Sequence, residues 1–249
     1  MEPDKIQEDQ FEYPYHYIPD WRQDRFSQTH HFAWGFRYLG GMRIVFDQLK
    51  RRSFTSLIDV GCGDGRFLRE MAVCYPGVAL LGVDRSERAI RLAQAMNPAL
   101  EYCVWDVSRE ALPRRFEIAV LMEVLEHVPP ERIERFLESV TAALAEEGTL
   151  ILTVPHSNLP VSGKHYQHFA SGQLRELLAH RFRDLEFIPF DPKSKLIGLL
   201  HRLLGGGGQH FVVTDATLLG LFFRLYVRKY LYARDESACT RIAVVAERM

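Results

Sequence analysis

Cysteine is scarce in this chain: the 249 residues hold four, Cys62, Cys74, Cys103 and Cys239, and no two form a C-x-x-C pair. That scatter argues against a zinc cluster and against a disulfide framework, and free thiols suit a reducing cytosol. Long apolar runs are missing as well. No stretch of eighteen apolar residues exists, so no segment is expected to span a membrane. The opening MEPDKIQEDQ is acidic and polar and lacks the apolar core of a secretory leader. Neither sign of charge dominates, with 31 basic against 32 acidic residues and a formal net charge of −1. A domain built for long nucleic acid carries a basic excess, so nucleic acid is not an expected partner. Internal repeats are absent too, and the four glycines at 205–208 are the only low-complexity piece.

What is present is a change of pattern along the chain. Residues 1 to about 30 are rich in aromatics, histidine and proline (FEYPYHYIPDW) and follow neither helical nor strand period. They read as an arm packed onto the domain. From Thr29 to Lys50 the apolar positions Phe32, Phe36, Leu39, Val45, Phe46 and Leu49 fit a helical face, with a break expected at Gly40-Gly41. Then short apolar runs alternate with helical stretches: SLIDV, a helix over 65–74, ALLGVD, a helix over 86–96, EYCVWD, EIAVLME, a helix over 130–145, and TLILTVP. Strands alternating with helices imply βαβ units, a parallel sheet and helices on both faces. A helix over 171–181, the strand DLEFIPF and the closing strand CTRIAVVAE complete the pattern, with residues 193–232 inserted before the last strand. The expected organisation is an arm and helix (1–50), an α/β core (51–192), a helical cap (193–235) and the closing strand of the core (236–249).

The chemistry concentrates at strand ends. In LIDVGCGDGR (57–66) a strand runs into a loop with glycine at every second position and then into a helix. Glycine permits positive φ and lets the backbone touch a ligand. A lone G-x-G is weak evidence, because dinucleotide-binding domains carry the related G-x-G-x-x-G. Here the spacing is G-x-G-x-G, and Asp59 stands two residues before the first glycine, where a diphosphate would be repelled and an ammonium welcomed. GVDRS ends the second strand with Asp84, placed to accept from two ribose hydroxyls. VWDV ends the third with Asp106, placed for an adenine amino group. Each acid alone is equally a helix N-cap. Three acids on three successive strand tips are hard to explain as caps, because open α/β sheets bind ligands at that edge.

LIDVGCGDGRFL, GVDRS, VWDV and LMEVLEHVPP together resemble the successive motifs of class I S-adenosylmethionine-dependent methyltransferases, over roughly residues 54–190. The resemblance implies a Rossmann-like sheet of seven strands, mostly parallel, with helices on both faces and the last strand inserted antiparallel. It implies S-adenosyl-L-methionine as cofactor. Asp59, Gly61, Gly63 and Gly65 would line its methionine moiety, Asp84 would hold the ribose, Asp106 the adenine, and Glu123 would lie beside it. Cys62, Arg85 and Val107 complete the expected contact set.

For chemistry on a hydroxyl acceptor a base is needed, and His127, just after the fourth strand, is the first candidate. His165 and His168, three apart in KHYQHF, are further candidates for base or substrate binding, or they simply close their loop. Glu123, Glu126, His127 and one of His165 or His168 also resemble the E-x-x-E-H and later histidine of metal-dependent small-RNA 3′-terminal 2′-O-methyltransferases, a set suited to a hard divalent ion. The same E-V-L-E-H-V run is similar to that of metal-independent ubiquinone-biosynthesis O-methyltransferases. The loop differs from the RNA enzymes around the last ligand and no basic RNA-binding module follows, so no metal is expected. The reading is therefore a cytosolic methyltransferase acting on a small-molecule, lipid-linked or sugar-linked acceptor, most readily at oxygen. Its rivals are the RNA enzyme, a silent SAM-binding subunit, and an NAD-dependent dehydrogenase.

The tail adds LIGLLHRLL and TLLGLFFRLYVRKYLY, apolar almost all round with Arg224, Arg228 and Lys229 interspersed. Two readings stand: a helical cap over the active site, with a homodimer contact, or peripheral attachment to an anionic membrane surface. The glycine run 205–208 would be the cap's hinge. In the arm, Tyr13, Tyr15, His16, Tyr17, Trp21, His30, His31, Phe32 and Trp34 are expected mainly to staple it to the domain.

Overall fold

Seven strands form one sheet in the computed structural model, which describes residues 32–107, 114–203 and 215–249 together with Phe11, His16 and two short strands. Those short strands, β1 (Asp20–Arg22) and β2 (Arg25–Ser27), make a separate antiparallel pair in the arm. The sheet itself consists of β3 (Ser56–Val60), β4 (Ala79–Asp84), β5 (Glu101–Val104), β6 (Phe116–Met122), β7 (Leu144–Pro155), β8 (Phe182–Pro192) and β9 (Cys239–Arg248). Its order is β5-β4-β3-β6-β7-β9-β8, parallel from β5 to β7, with β9 antiparallel to both of its neighbours. This is the seven-stranded Rossmann-like sheet expected from the sequence, including the reversed last strand.

The strands read as continuous apolar runs because both faces are covered. Leu57 of β3, Ile118 and Val120 of β6, and Ala243 and Val245 of β9 face one core. Their alternates Ile58, Ala119, Leu121, Ile242 and Val244 face the other. On the first face lie α1 (Phe32–Leu49), α2 (Arg66–Cys74), α3 (Glu87–Met96), α6 (Lys195–Leu203) and α7 (Ala216–Lys229). On the second lie α4 (Ile133–Ala142) and α5 (Ser171–Leu178). Leu39, Met42, Ile44, Val45 and Leu49 of α1 are fully buried in the first core, so this helix is a layer of the domain, not an appendage.

Three local expectations differ from what forms. Helix α1 runs unbroken through Gly40-Gly41. The reason is close approach: a Cβ on Gly40 would lie 3.0 Å from the Tyr226 ring and hydroxyl and 3.1 Å from Leu231 Cδ1. Helical glycine costs about 1 kcal/mol relative to alanine, and here it admits α7 at contact distance. The helix expected over 130–145 divides into a 3-10 turn (Pro130–Arg132) and α4, and β7 starts at Leu144, which pairs with Phe116. The insertion does not roof the active site among the described residues. Phe223 and Tyr226 of α7 pack edgewise and tilted on Phe36 of α1 instead. The proposed hinge at 205–208 and the aromatic and histidine residues Tyr13, Tyr15, Tyr17, His30 and His31 lie outside the described residues, as do the side chains of Trp21, Phe32 and Trp34.

After β5 on one edge the chain crosses back to lay β6 beside β3, so the strand order reverses between those two. In open α/β sheets that reversal leaves a crevice at the carboxyl ends of the strands.

Candidate active site

A cavity of 260 Å³ opens at that crevice. Its first half is built by the loops after β3, β4 and β5. Gly61 (φ +77°) and Gly63 (φ +54°) turn the backbone through the left-handed region, and both line the cavity. A Cβ on Gly61 would meet Val124 at 2.5 Å, so any other residue would be strained there and would force Val124 to shift. Asp84 receives the Gly63 N–H at 3.0 Å and the Ser86 N–H at 2.9 Å, one on each carboxylate oxygen. Ser86 in turn caps α3 by accepting from Ala89 N at 3.1 Å. Arg85, Asp106 and Val107 line the same wall, and Trp105 brings a buried indole Nε1 with no hydrogen-bond partner. Exposed backbone at two glycines, an acid on each of two strand tips and an unpartnered donor fit a nucleoside bearing a short charged chain.

Asp59, Cys62 and Gly65 do not line this cavity. Asp59 is buried beneath the loop, and its carboxyl is pushed up to about 8, first by burial and then by the charge of Asp84. Cys62 is buried, its thiol donating to the Gly63 carbonyl at 3.8 Å. Gly65 (φ +79°) caps α2 against Tyr102, whose hydroxyl would be 2.5 Å from an added Cβ. The expected contact set thus separates into residues at the surface of the loop and residues that shape it from behind.

The second half of the cavity is assembled from distant segments. Glu123 follows β6 with φ +57°, a left-handed conformation that a non-glycine residue adopts at a cost of order 1–3 kcal/mol. Its carboxylate accepts from Thr153 Oγ1 at 3.2 Å and from Arg241 Nε at 3.0 Å. Arg241, on β9, also donates to Asp191 at 3.2 Å, and Asp191 accepts from the Tyr226 hydroxyl at 3.0 Å. Burial opposes the charge of Arg241, but Glu123 and Asp191 outweigh it and hold its pKa up. Arg37, Tyr38 and Gly41 of α1 close the opposite wall.

The histidines form two anchored sets. His127 Nδ1–H donates to the Lys164 carbonyl at 2.9 Å, since a carbonyl can only accept. His168 Nδ1–H donates to the Leu159 carbonyl at 3.0 Å, and its Nε2 lies 2.7 Å from His165 Nδ1. With both rings neutral, His165 donates to His168 and retains a bare Nε2 of its own. His165 is held neutral: burial first, then repulsion from the positive charge that His127 and Lys164 carry when protonated, lowers it to about 3. His127 and His165 line the cavity with their rings 4.8 Å apart, whereas His168 stands behind as the orienting partner.

Glu126 completes the cluster. It is 0% exposed, lines the cavity, and neither carboxylate oxygen has a hydrogen-bond partner. Burial, and then the charge of Glu123, push its carboxyl well above the usual range. One ligand atom each from Glu126, His127 and His165 lie within 4.8 Å of one another, an arrangement able to hold a divalent ion. Beside it, burial lowers the Lys164 ammonium against the opposing pull of Glu126 and Glu123.

Sequence reasoning missed Phe11, Arg37, Tyr38, Trp105, Lys164, Thr153 and Arg241, all of which line the cavity. Lys164 stood next to a histidine already singled out. Arg37 and Arg241 carried no signal, since only the fold brings Arg37 to Asp191 and Arg241 to Glu123 and Asp191. Among the described residues none of 193–232 lines the cavity, and no helix is long and apolar enough to cross a membrane.

Comparisons with known proteins agree with this geometry. Residues 20–216 match the methyltransferase-domain family. The chain is 33% identical over 140 residues to the mitochondrial ubiquinone biosynthesis O-methyltransferase of Schizosaccharomyces pombe, covering 53% of this chain and 49% of that protein. It is 31% identical over 132 residues to the tRNA (carboxymethyluridine(34)-5-O)-methyltransferase of Saccharomyces cerevisiae, covering 51% and 42%. The chain thus spans half or less of the length of these curated relatives. Among solved structures, the N-methyltransferase NodS of Bradyrhizobium japonicum WM9 in complex with S-adenosyl-L-homocysteine superposes with a TM-score of 0.57 at 13% identity, covering 86% of this chain and 87% of that one. A SAM-dependent methyltransferase from Archaeoglobus fulgidus gives 0.56 at 16% identity, covering 88% and 99%. At such identities the structural likeness concerns the fold. With the family match over most of its length, the chain belongs to the methyltransferase-domain family, and its fold is the one found in these SAM-dependent methyltransferases.

Proposed function

We propose that this protein transfers a methyl group from S-adenosylmethionine to a hydroxyl oxygen of a small-molecule, lipid-linked or sugar-linked acceptor. The observation that carries this reading is the pair of cavity imidazoles, His127 and His165, each anchored through Nδ1 so that its ring is fixed at the cavity wall. When bound, the cofactor supplies a methyl group on a cationic sulfur, open to in-line displacement by an oxygen nucleophile. Gly61, Gly63, Asp84 and Asp106 hold it, as residues of that wall. His127 takes the hydroxyl proton at Nε2, worth roughly 10²–10⁴ in rate for a well-placed base. His165, kept neutral, accepts a hydrogen bond from the acceptor and orients it, with His168 fixing its tautomer. Both curated relatives named above are O-methyltransferases, which supports oxygen as the methylated atom.

The outer surfaces of α6 and α7 expose Leu196, Leu199, Leu218 and Leu221, with Arg228 and Lys229 at the end of α7. An apolar face with a basic end favours an anionic lipid surface, which supports a lipid-linked acceptor. The test is a panel of phenols, prenylated phenols and sugars incubated with labelled cofactor. Product bearing a methyl ether is expected; methylation found solely at nitrogen or carbon would reject the oxygen reading.

A second reading is favoured by Glu126. A wholly buried carboxyl with no partner is expensive, and together with His127 and His165 it would hold a divalent ion that binds and acidifies an acceptor hydroxyl. Metal analysis of the purified protein, and turnover with and without chelator, separate the two. Full activity after exhaustive chelation excludes the metal.

A further inference from the structure

Asp64, the acid inside the glycine loop, does not line the cavity. It is 0% exposed, and its carboxylate engages a single residue 48 positions upstream. Oδ2 accepts from the His16 backbone N–H at 2.9 Å, and Oδ1 accepts from His16 Nδ1–H, also at 2.9 Å. Arg66, itself buried and fixed by Glu70 at 2.8 Å, donates to the His16 carbonyl at 3.3 Å. His16 is thus held by its amide, its carbonyl and its ring, all from residues of the loop and the first turn of α2.

That triple hold places the His16 ring on the cofactor side. Its Cε1 would be 3.1 Å from a Cβ at Gly63, its centroid is 4.8 Å from that of Tyr38, and it lines the cavity. Phe11, 4% exposed, packs on Gly63 from the same side and lines the cavity too. The Gly63 amide in turn donates to Asp84. Strap, glycine loop and ribose acid are therefore one connected unit. A buried carboxylate stripped of its partners is costly, and Asp64 has no other hydrogen-bond partner among the described residues. The loop is accordingly complete only when His16 is seated.

We infer that His16 is a cofactor-binding residue and Asp64 its positioning residue: His16 and Phe11, held against the glycine loop, form a wall that retains the cofactor. This rests on the cavity being the cofactor pocket. A passing ligand must displace the His16 and Phe11 wall, so the clasp governs how fast the cofactor leaves.

The test uses the full chain and S-adenosyl-L-homocysteine, with affinity from calorimetry, dissociation rate from stopped-flow displacement, and melting of the cofactor-free protein followed in parallel. H16A should raise Kd roughly tenfold, mostly through faster dissociation. D64N, which keeps an acceptor for the His16 amide, should give a smaller change of the same kind. The double variant should be no worse than H16A, because the two act as one contact. Unchanged dissociation in a folded H16A, or effects of the two substitutions that add in full, would overturn the proposal. Failure of the unmodified protein to bind the ligand at all would instead refute the pocket assignment, and D84A distinguishes a weakened ribose contact from a loosened strap.

Discussion

The two ends of the cavity are made in opposite ways. The end proposed for the cofactor comes, apart from the Phe11 and His16 wall, from residues 60–107 in chain order, each loop following its strand, with glycines and acids at the tips. The acceptor end gathers Arg37 from α1, His127 after β6, Lys164 and His165 after β7, and Arg241 from β9. Apart from Phe11 and His16, one end is a continuous passage of sequence; the other exists only once the sheet is assembled. Local construction fixes a shared ligand, whereas convergence from distant segments leaves each contributor open to change separately, which suits an acceptor that differs from relative to relative.

The largest effect that could break this division is H127A. Turnover should fall about 100-fold or more while affinity for S-adenosyl-L-homocysteine stays within about twofold. Steady-state kinetics beside calorimetry measure both, and a collapse of cofactor affinity would move His127 to the other end. D84A is the reverse case: Kd for the nucleoside should rise about tenfold through loss of charge-assisted bonds. Unchanged affinity would remove Asp84 from the cofactor end.

The smallest effect sharpens the boundary beneath the loop. Asp59 keeps its proton in the folded state up to about 8, above the ordinary carboxylate range that governs the unfolded chain. The folded protein then binds more protons than the unfolded one, so stability falls as pH rises through that window. The cofactor-free protein should lose a few degrees of melting temperature between pH 6 and 8.5, and D59N should lose less. Parallel curves for the two proteins would show that Asp59 is ionised throughout.

The same division explains what was legible before the fold. The G-x-G-x-G loop, Asp84 and Asp106 were readable because strand, turn and acid adjoin in sequence, and the reversed β9 followed from family resemblance. The break expected at Gly40-Gly41 was misplaced because the reason for those glycines, the Tyr226 ring, lies far along the chain. Asp59 and Gly65 sit in the right loop but behind its surface, a distinction of depth that spacing does not encode. Arg241 and Arg37 had no local mark at all, since a strand arginine and a helix arginine become a site only by pairing with Glu123 and Asp191.

Strand β9 is translated after β7 and β8, yet it lies between them. Glu123 therefore waits for its arginine until the ribosome has made nearly everything else described here. A nascent chain can finish the nucleoside-binding half early, but it carries no completed acceptor half until β9 slides into its slot. The Glu123–Arg241 pair thus forms only once β9 is seated between β7 and β8.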